Sequence, residues 1–514
     1  MNNEMKIPSF PKEKFGFANK NERIHDVKFE TKPIGYFKDA WLRFRKNKSA
    51  VVATVLIIFL LLFALIVPFV SNYTVSFRDG YYKTVLPKNA TLAPLGIWNG
   101  AKVQRETQAG YDYYRSIGVE TGRPAVLEVK SQSVDANGIR YYSLVVDSYI
   151  KVGYTYVNLT EDEFRRLQDY QDSTGIQVIY PLQKTYRTNY VMGNMGANFW
   201  YLLQDDGATT NGLAVLDENG NFIPNYLTTA NKQQADYTSL RLQGDNGGED
   251  GNTWFVYGQR NQSGYKARVD YYEYFKYKNN FEPVFLFGTN IYGQDIFTCL
   301  AAGARLSFLL AISVSLINFF IGGLYGAIEG YYGGAIDITM ERISDVLASV
   351  PFIVVATLFQ MHLADKVGVL VSLLFAFVLT GWVSMAARVR MQFYRFKRQE
   401  YILSARTLGA NDRRLIFKHI YPNAIGTIIT AAVLTIPGVI FTESILSYLN
   451  IVHFETSSLT SIGTMLANGQ GYLSTFPHII LFPAMFISIL MISFNLFGNG
   501  LRDAFNPSLR GADE

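Results

Sequence analysis

Cysteine is all but missing from this chain: Cys299 is the only one in 514 residues. No internal disulfide framework is available to it, and no thiolate zinc site. Histidine is nearly as scarce, five in all with none between His25 and His362, so that stretch has no histidine-dependent triad and few routes to a zinc site. There is also no GxxxxGK[ST] run, so the chain carries no P-loop with which to use ATP itself. Charged residues make up only 17% and are absent from two long apolar runs, 50–70 and 306–328.

Those runs belong to a set of six segments able to span a bilayer, each about 20 mostly apolar residues: 50–70, 306–328, 345–365, 367–387, 424–446 and 479–497. The mean hydropathy is nonetheless only +0.08, which averages over two unlike regions. Lys38, Arg43, Arg45, Lys46 and Lys48 crowd the start of the first span and set the N-terminal tail, 1–49, in the cytoplasm. Six crossings return the C-terminal tail, 501–514, to the same side beside Arg502 and Arg510, and the same parity makes 388–418 cytoplasmic. The first apolar run is too long and too far from Met1 for a cleavable signal peptide, so it is expected to be a retained span.

Between the first two spans, 71–285 is too long for a structureless connection and is expected to be a folded α+β domain outside the cytoplasm. The stretches 125–134 and 139–146 flank Asn137-Gly138, a hairpin signal in which both turn residues tolerate positive φ, and Asn219-Gly220 repeats the device. Thr160 and Glu163 fit a capping box for a helix ending near Gly175, and 177–180 reads as a strand. Tyrosine clusters at Tyr111, Tyr113, Tyr114 and at Tyr271, Tyr272, Tyr274 suit half-buried strands, or a contact surface for a substrate-delivering protein. Asp245, Glu249 and Asp250, like Asp217-Glu218, form acidic turns whose alternatives are solvation and calcium ligation. The charges of this region nearly balance, so the net +5 belongs to the cytoplasmic face; anionic lipid accounts for it and nucleic acid is not required.

Residues 400–423, EYILSARTLGANDRRLIFKHIYPN, form a charged helix, glycine, helix unit between apolar segments. Tyr401, Ile402, Ala405 and Leu408 fall at helical spacing, and Gly409 supplies the left-handed residue that ends a helix. Asn411 caps a second helix, with Leu415, Ile416 and Ile420 on one face and Arg413, Arg414 and Lys418 elsewhere; Pro422 is expected to stop it. An ordinary basic loop obeying the positive-inside rule is the plain alternative.

This segment resembles the EAA loop of permease subunits in ABC importers, with Glu400, Ala405, Gly409 and Pro422 at its hallmark positions and Ser404 in place of the commonest alanine. FGTNIYGQDIFTCLAAGARLSF, from Phe287, is similar to the entrance of the second span in C-type permeases of oligopeptide and dipeptide importers, matching at Gly288, Thr289, Gly293, Asp295, Gly303, Ala304 and Arg305. Asn290 and Gln294 stand where an aspartate and an arginine are common, which suggests that a salt link was dropped as a unit. The likeness continues through Gly330 to Gly334, Asp345, Gly381-Trp382, the stretch from Glu443 to Leu449, GNGLRDAFNP from Gly498, and WLRFRKNKSAVVATVLI before and within the first span.

The resemblance implies a six-helix type I importer permease with the α+β domain inserted between helices 1 and 2, a permease core over 286–500 and a coupling loop over 397–423. It implies a bacterial plasma-membrane subunit for oligopeptide import, not an enzyme and with no catalytic or metal-binding residue. Its expected partners are the lipid bilayer, a second homologous permease, two ATPase subunits that hold ATP and Mg, an extracellular peptide-binding lipoprotein and the peptide. The residues expected to meet the ATPase are Glu400, Leu403, Ser404, Ala405, Leu408, Gly409, Ala410, Asn411 and Asp412. Glu443, costly if it faced lipid, is a candidate for the translocation path or for a helix-packing hydrogen bond. Pro351, Pro437 and Pro483 are expected as kinks inside spans, and Gly322 and Gly326 as a GxxxG packing site. A rival reading makes the spans an anchor for an extracellular receptor or assembly module; another keeps the permease but changes the substrate to dipeptides, nickel chelates or sugars.

Overall fold

The computed structural model of the protein describes residues 35–89, 91–184, 193–205, 210–230, 254–262, 264–452, 454 and 459–505. The leading tail to residue 34, the acidic turn with Asp245, Glu249 and Asp250, and Arg510 lie outside the described residues.

A short helix, α1 (Tyr36–Lys46), leads into α2 (Lys48–Val70), which Asn47 caps by accepting from the Ala50 N–H. Among the described residues, the stretch that follows α2 builds four antiparallel sheets. β1 (Ala101–Thr107), α3 (Gln108–Thr121), β2 (Val126–Val134) and β3 (Arg140–Asp147) give a three-stranded sheet of order β1-β3-β2, with Tyr111 of α3 stacked on Tyr142. β4 (Tyr154–Leu159), α4 (Glu161–Thr174) and β5 (Ile179–Tyr180) follow. Two small ribbons come next, β6 (Leu203–Asp205) with β7 (Thr210–Ala214) and β8 (Thr228–Thr229) with β9 (Trp254–Phe255). β10 (Gly258–Asn261) and β11 (Gly264–Asp270) complete a sheet of order β10-β11-β4 with β5 also on β11, before α5 (Tyr271–Asn279).

The capping box forms as the sequence predicts: Thr160 Oγ1 accepts from the Glu163 N–H and Glu163 Oε2 from the Thr160 N–H, and Gly175 ends α4 at φ +69°. The 135–139 turn is built differently. Gly138 alone of its pair takes positive φ, and the Asp135 carboxylate accepts from the N–H groups of Asn137 and Ile139. Asp217 does the same for Asn219 and Asn221, so these are aspartate-braced loops rather than two-residue turns. Both tyrosine clusters lie on helices, α3 and α5, not on strands. Thr107 and Asp270 cap those helices from the ends of β1 and β11, and the caps with i, i+3 packing outweigh the β preference of tyrosine.

One fully buried cation ties the inserted domain together. Arg268 on β11 holds Glu120 of α3 through two contacts of 2.7 and 3.0 Å and donates to the carbonyls of Ala197 and Pro181. Arg123 joins Asp270 and Glu273 beside it.

The membrane part resumes with α6 (Ile296–Tyr332), α7 (Gly334–Ala348), α8 (Phe352–Val367) and α9 (Val369–Phe396). After α10 (Glu400–Thr407) come α11 (Asp412–Arg414), a π turn over Leu415–Ile420, α12 (Tyr421–Tyr448), α13 (Ile462–Gly469) and α14 (His478–Phe505). Among the described residues five helices are long and apolar enough to cross a membrane, or six if α7 and α8, bent by 69°, form one span. The expected span over 345–365 straddles that bend. Pro351 lies at the break as the N-cap of α8, because proline has no N–H to give and disfavours the helical conformation in the residue before it. Pro437 and Pro483 are inside helices, as is Pro68.

α6 is the central helix. Gly322, Gly326 and Gly330 face α9, where an added Cβ would meet Trp382 O at 2.6 Å, Ala386 O at 2.2 Å and Arg390 O at 2.8 Å. The GxxxG site is therefore one turn longer than the pair picked out in the sequence, and it lets two backbones touch. α1 lies across α14, with Phe44 against Phe497 and Tyr36 against Phe505.

Candidate functional site: the 400–420 hairpin and its supports

Glu400 to Ile420 folds back on itself beneath the bundle. α10 ends in paired reverse bonds, Gly409 N–H to Arg406 O at 3.0 Å and Ala410 N–H to Ala405 O at 3.1 Å, with Gly409 at φ +83°. Asn411 Oδ1 then accepts from the Arg414 N–H at 2.9 Å and starts the second arm. Ile402, Leu415, Ile416 and Ile420 are buried against Tyr331 and Phe393, while Arg413, Arg414 and Lys418 are exposed.

The second arm does not end at Pro422. It runs on into α12 through the π turn, in which the Tyr421 N–H reaches back five residues to Ile416 O. That wider turn, immediately before Pro422, accommodates a residue with no N–H whose ring would crowd a regular helix. The hairpin is consequently continuous with a 37-residue helix, Asp412–Tyr448, long and apolar enough to cross a membrane.

Of the residues expected to meet a partner, Glu400, Leu403, Ser404, Leu408, Gly409, Asn411 and Asp412 are exposed, and Ala405 and Ala410 are half-buried. Leu408 is 88% exposed and Leu403 50%, an apolar pair projecting from a polar surface. Two supports hold this surface rigidly against the bundle. Tyr331, near the end of α6, donates to Asp412 and accepts from Arg406 at 3.1 Å, so both arms hang on one phenol. On α9, Arg390 meets Asp337 at 2.6 Å and Glu341 at 2.7 Å, clamping α7, while Lys397 Nζ donates to Gly330 O at 2.8 Å. The sequence did not point to Tyr331, Asp337 and Arg390 as supports; Tyr331 lies in the Gly330 to Gly334 motif, while Asp337 and Arg390 carry no local signal.

At the other end of α6, the matched residues from Gly288 to Asp295 strap the inserted domain to the helices. An added Cβ at Gly293 would meet Asp79 O at 1.9 Å and one at Gly288 would meet Val85 O at 2.4 Å, so both positions require glycine. Thr289 donates to Tyr82 O at 2.6 Å and accepts from the Val85 N–H at 3.0 Å, and Asp295 caps α6 through the Thr298 N–H. Asn290 and Gln294 did not lose their contact. Asn290 Nδ2 donates to Gln294 Oε1 at 2.9 Å, a neutral hydrogen bond where a salt link was expected to have vanished, and Gln294 donates onward to Val75 O.

Glu443 is fully buried. Its carboxylate accepts from Ser307 on α6 at 2.8 Å and from Ser447 one turn along α12 at 3.0 Å.

Residues 320–511 match the family of binding-protein-dependent transport system inner membrane components, and residues 35–94 match the N-terminal TM domain of oligopeptide transport permease C. The oligopeptide transport system permease protein OppC of Bacillus subtilis (strain 168) is 42% identical over 224 residues, 44% of this chain and 72% of the relative. The dipeptide transport system permease protein DppC of the same organism is 40% identical over 225 residues, 44% of this chain and 69% of the relative. Among solved structures, the inward-facing MetNI methionine ABC transporter overlaps 40% of this chain and 96% of its own at TM-score 0.34 and 16% identity, too slight a likeness to bear on the fold. With the hairpin, the α6 entrance and the glycine-packed bundle all falling in or beside the matched regions, this chain belongs to the permease family of oligopeptide and dipeptide ABC importers, membrane subunits whose ATPase is a separate chain.

Proposed function

We propose that the protein is the C-type permease subunit of a bacterial oligopeptide importer and forms half of the translocation path. It pairs with a second homologous permease over two ATPase subunits, which bind ATP and Mg, and receives peptide from an extracellular binding lipoprotein. Both termini are cytoplasmic, and the domain over 71–285 stands outside the cell between helices 1 and 2 of a six-helix core.

The observation that carries the mechanism is the unbroken helix from Asp412 to Tyr448. The surface formed by Glu400, Leu403, Ser404, Ala405, Leu408, Gly409, Ala410, Asn411 and Asp412 docks in an ATPase groove, with Leu403 and Leu408 as apolar anchors in a charged rim. When ATP draws the motors together, the hairpin moves with its motor, and α12 moves with the hairpin, because no flexible joint separates them. Tyr331 and Arg390 carry the same displacement to α6 and α7. The path then opens outward to take peptide, and hydrolysis reverses the motion. Glu443 enters this path only where α6 and α12 part, since Ser307 and Ser447 hold its carboxylate in the conformation described.

The extracellular receptor alternative accounts for the inserted domain but not for the hairpin. Deleting the gene in a peptide-requiring strain tests the proposal. Growth on oligopeptides as sole source of a required amino acid should cease and growth on the free amino acid persist; unchanged growth on peptides would contradict import.

A further inference from the structure

A cavity of about 320 Å³ lies between the cytoplasmic ends of α9, α12 and α14. Three guanidinium groups line it, Arg388 and Arg395 from α9 and Arg502 from α14, with Thr427 and Thr430 of α12 between them. No acidic side chain is among its described lining residues. Arg390, two residues along the same helix, has the opposite setting and is surrounded by Asp337 at 2.6 Å, Glu341 at 2.7 Å and Glu329 at 3.6 Å. Helical geometry explains the split, because positions seven apart share a face and positions two apart do not. Neither Arg388 nor Arg502 has an ion pair among the described residues. The positive-inside rule accounts for arginines at this depth, but not for three around one cavity with no acidic partner among the described residues.

The position of the cavity links it to the hairpin. α9 and α12 are the two helices that the hairpin joins, so its displacement moves Arg388 and Arg395 relative to Thr427 and Thr430. Met391, Ile428 and Leu434 supply an apolar wall without directional groups. A site of this kind fixes one anionic end of a ligand and leaves the remainder unread.

We propose that this cavity is an anion site at the cytoplasmic end of the transport path, and that it takes the C-terminal carboxylate of the peptide; the inference rests on the peptide-import reading above. Guanidinium forks match a carboxylate in two-point contact, and the Thr427 hydroxyl adds a third donor, while that of Thr430 already donates to Gly426 O. Every unmodified peptide presents that group whatever its sequence, so the site gives purchase on cargo without selecting side chains.

Uptake by the complete transporter in liposomes tests this with two probes, a tetrapeptide bearing a free C-terminal carboxylate and the same peptide amidated. The expected result is that the wild type favours the free acid and that the R388Q/R502Q variant, which removes two of the three guanidinium groups, lowers the ratio of acid to amide uptake about tenfold or more, tenfold being the weight of one lost charge-assisted contact. An unchanged ratio overturns the proposal, whether uptake of both peptides falls together or neither falls. So does a defect that follows the phosphatidylglycerol content of the liposomes instead of the peptide terminus, which would make the cavity a lipid headgroup site. If the wild type takes up neither peptide, the import reading fails and this inference with it, a result distinct from import without terminus preference.

Discussion

Tyr331 and Asp412 are joined by a hydrogen bond that ties the last turn of α6 to the first residue of the second hairpin arm, 81 positions later in the chain. Arg406, on the first arm, donates to the same phenol oxygen at 3.1 Å. Removing that oxygen frees both arms at once while leaving the aromatic packing in place. Tyr331→Phe is expected to assemble with its partners and bind ATP, yet to show uptake lowered several-fold relative to ATP hydrolysed, consistent with the loss of about 1 kcal/mol per hydrogen bond. The ratio of peptide transported to ATP consumed in proteoliposomes checks this.

Gly409 sits at φ +83° with open space around its Cα, so the obstacle to substitution is backbone conformation, not collision. Gly409→Val would hold a β-branched residue in the left-handed region at a cost of roughly 1–2 kcal/mol. The hairpin should reshape locally, and ATPase subunits should co-purify with the permease at about a tenth of the wild-type yield or less. Wild-type yield from Gly409→Val would remove the argument for this turn.

Gly326 differs, because its Cβ position is already occupied by the Ala386 carbonyl oxygen at 2.2 Å. Gly326→Leu should push α6 from α9 and destabilise the membrane core by about 2 kcal/mol or more. Thermal aggregation of the detergent-solubilised protein should begin at a clearly lower temperature, whereas Gly438→Ala, with nothing within 4 Å, should leave it unchanged.

The inserted domain has its own test in Arg268 and Glu120. Arg268→Met leaves the largely buried Glu120 carboxylate without its cation, though still accepting from the Tyr226 hydroxyl, and should cost about 3 kcal/mol, while the double variant Arg268→Met with Glu120→Gln should recover much of that loss. Amide exchange across 264–270 in the full-length protein would read both.

Beside that pair, burial pushes the Asp270 carboxyl up to about 6, with Glu273 adding to the shift and Arg123 opposing it. Unfolded, the same carboxyl titrates near 3.9. The folded domain therefore holds a proton that the unfolded chain releases between about pH 4 and 6, and the resulting stabilisation is present at low pH and lost as pH rises through about 6. Amides of β11 and α5 should be better protected at pH 5 than at pH 7 after correction for intrinsic exchange, and Asp270→Asn should flatten the difference. Greater protection at pH 7 would contradict the assignment.

What could be read from sequence was what local chemistry decides. The hairpin was legible because Gly409, Asn411 and the Leu415, Ile416, Ile420 face each act within a few residues, and the capping box at Thr160 was legible for the same reason. Pro422 misled, since its effect depends on a π turn that no propensity announces. The tyrosines of α3 and α5 misled in the other direction, as side-chain preference is weaker than a capped helix packed on a sheet. Arg390 with Asp337, and Tyr331 with Asp412, were invisible because their partners are 53 and 81 residues apart and meet only when the bundle closes.

The central claim is that the exposed hairpin surface is where the motor takes hold. Site-specific photo-crosslinking from position 408, in the assembled complex, tests it most directly, because Leu408 is 88% exposed and is not a member of the buried cluster that folds the hairpin. The account predicts a crosslink to the ATPase subunit whose yield changes when ATP is bound. Labelling of lipid or solvent alone, with the ATPase present and active, would contradict it.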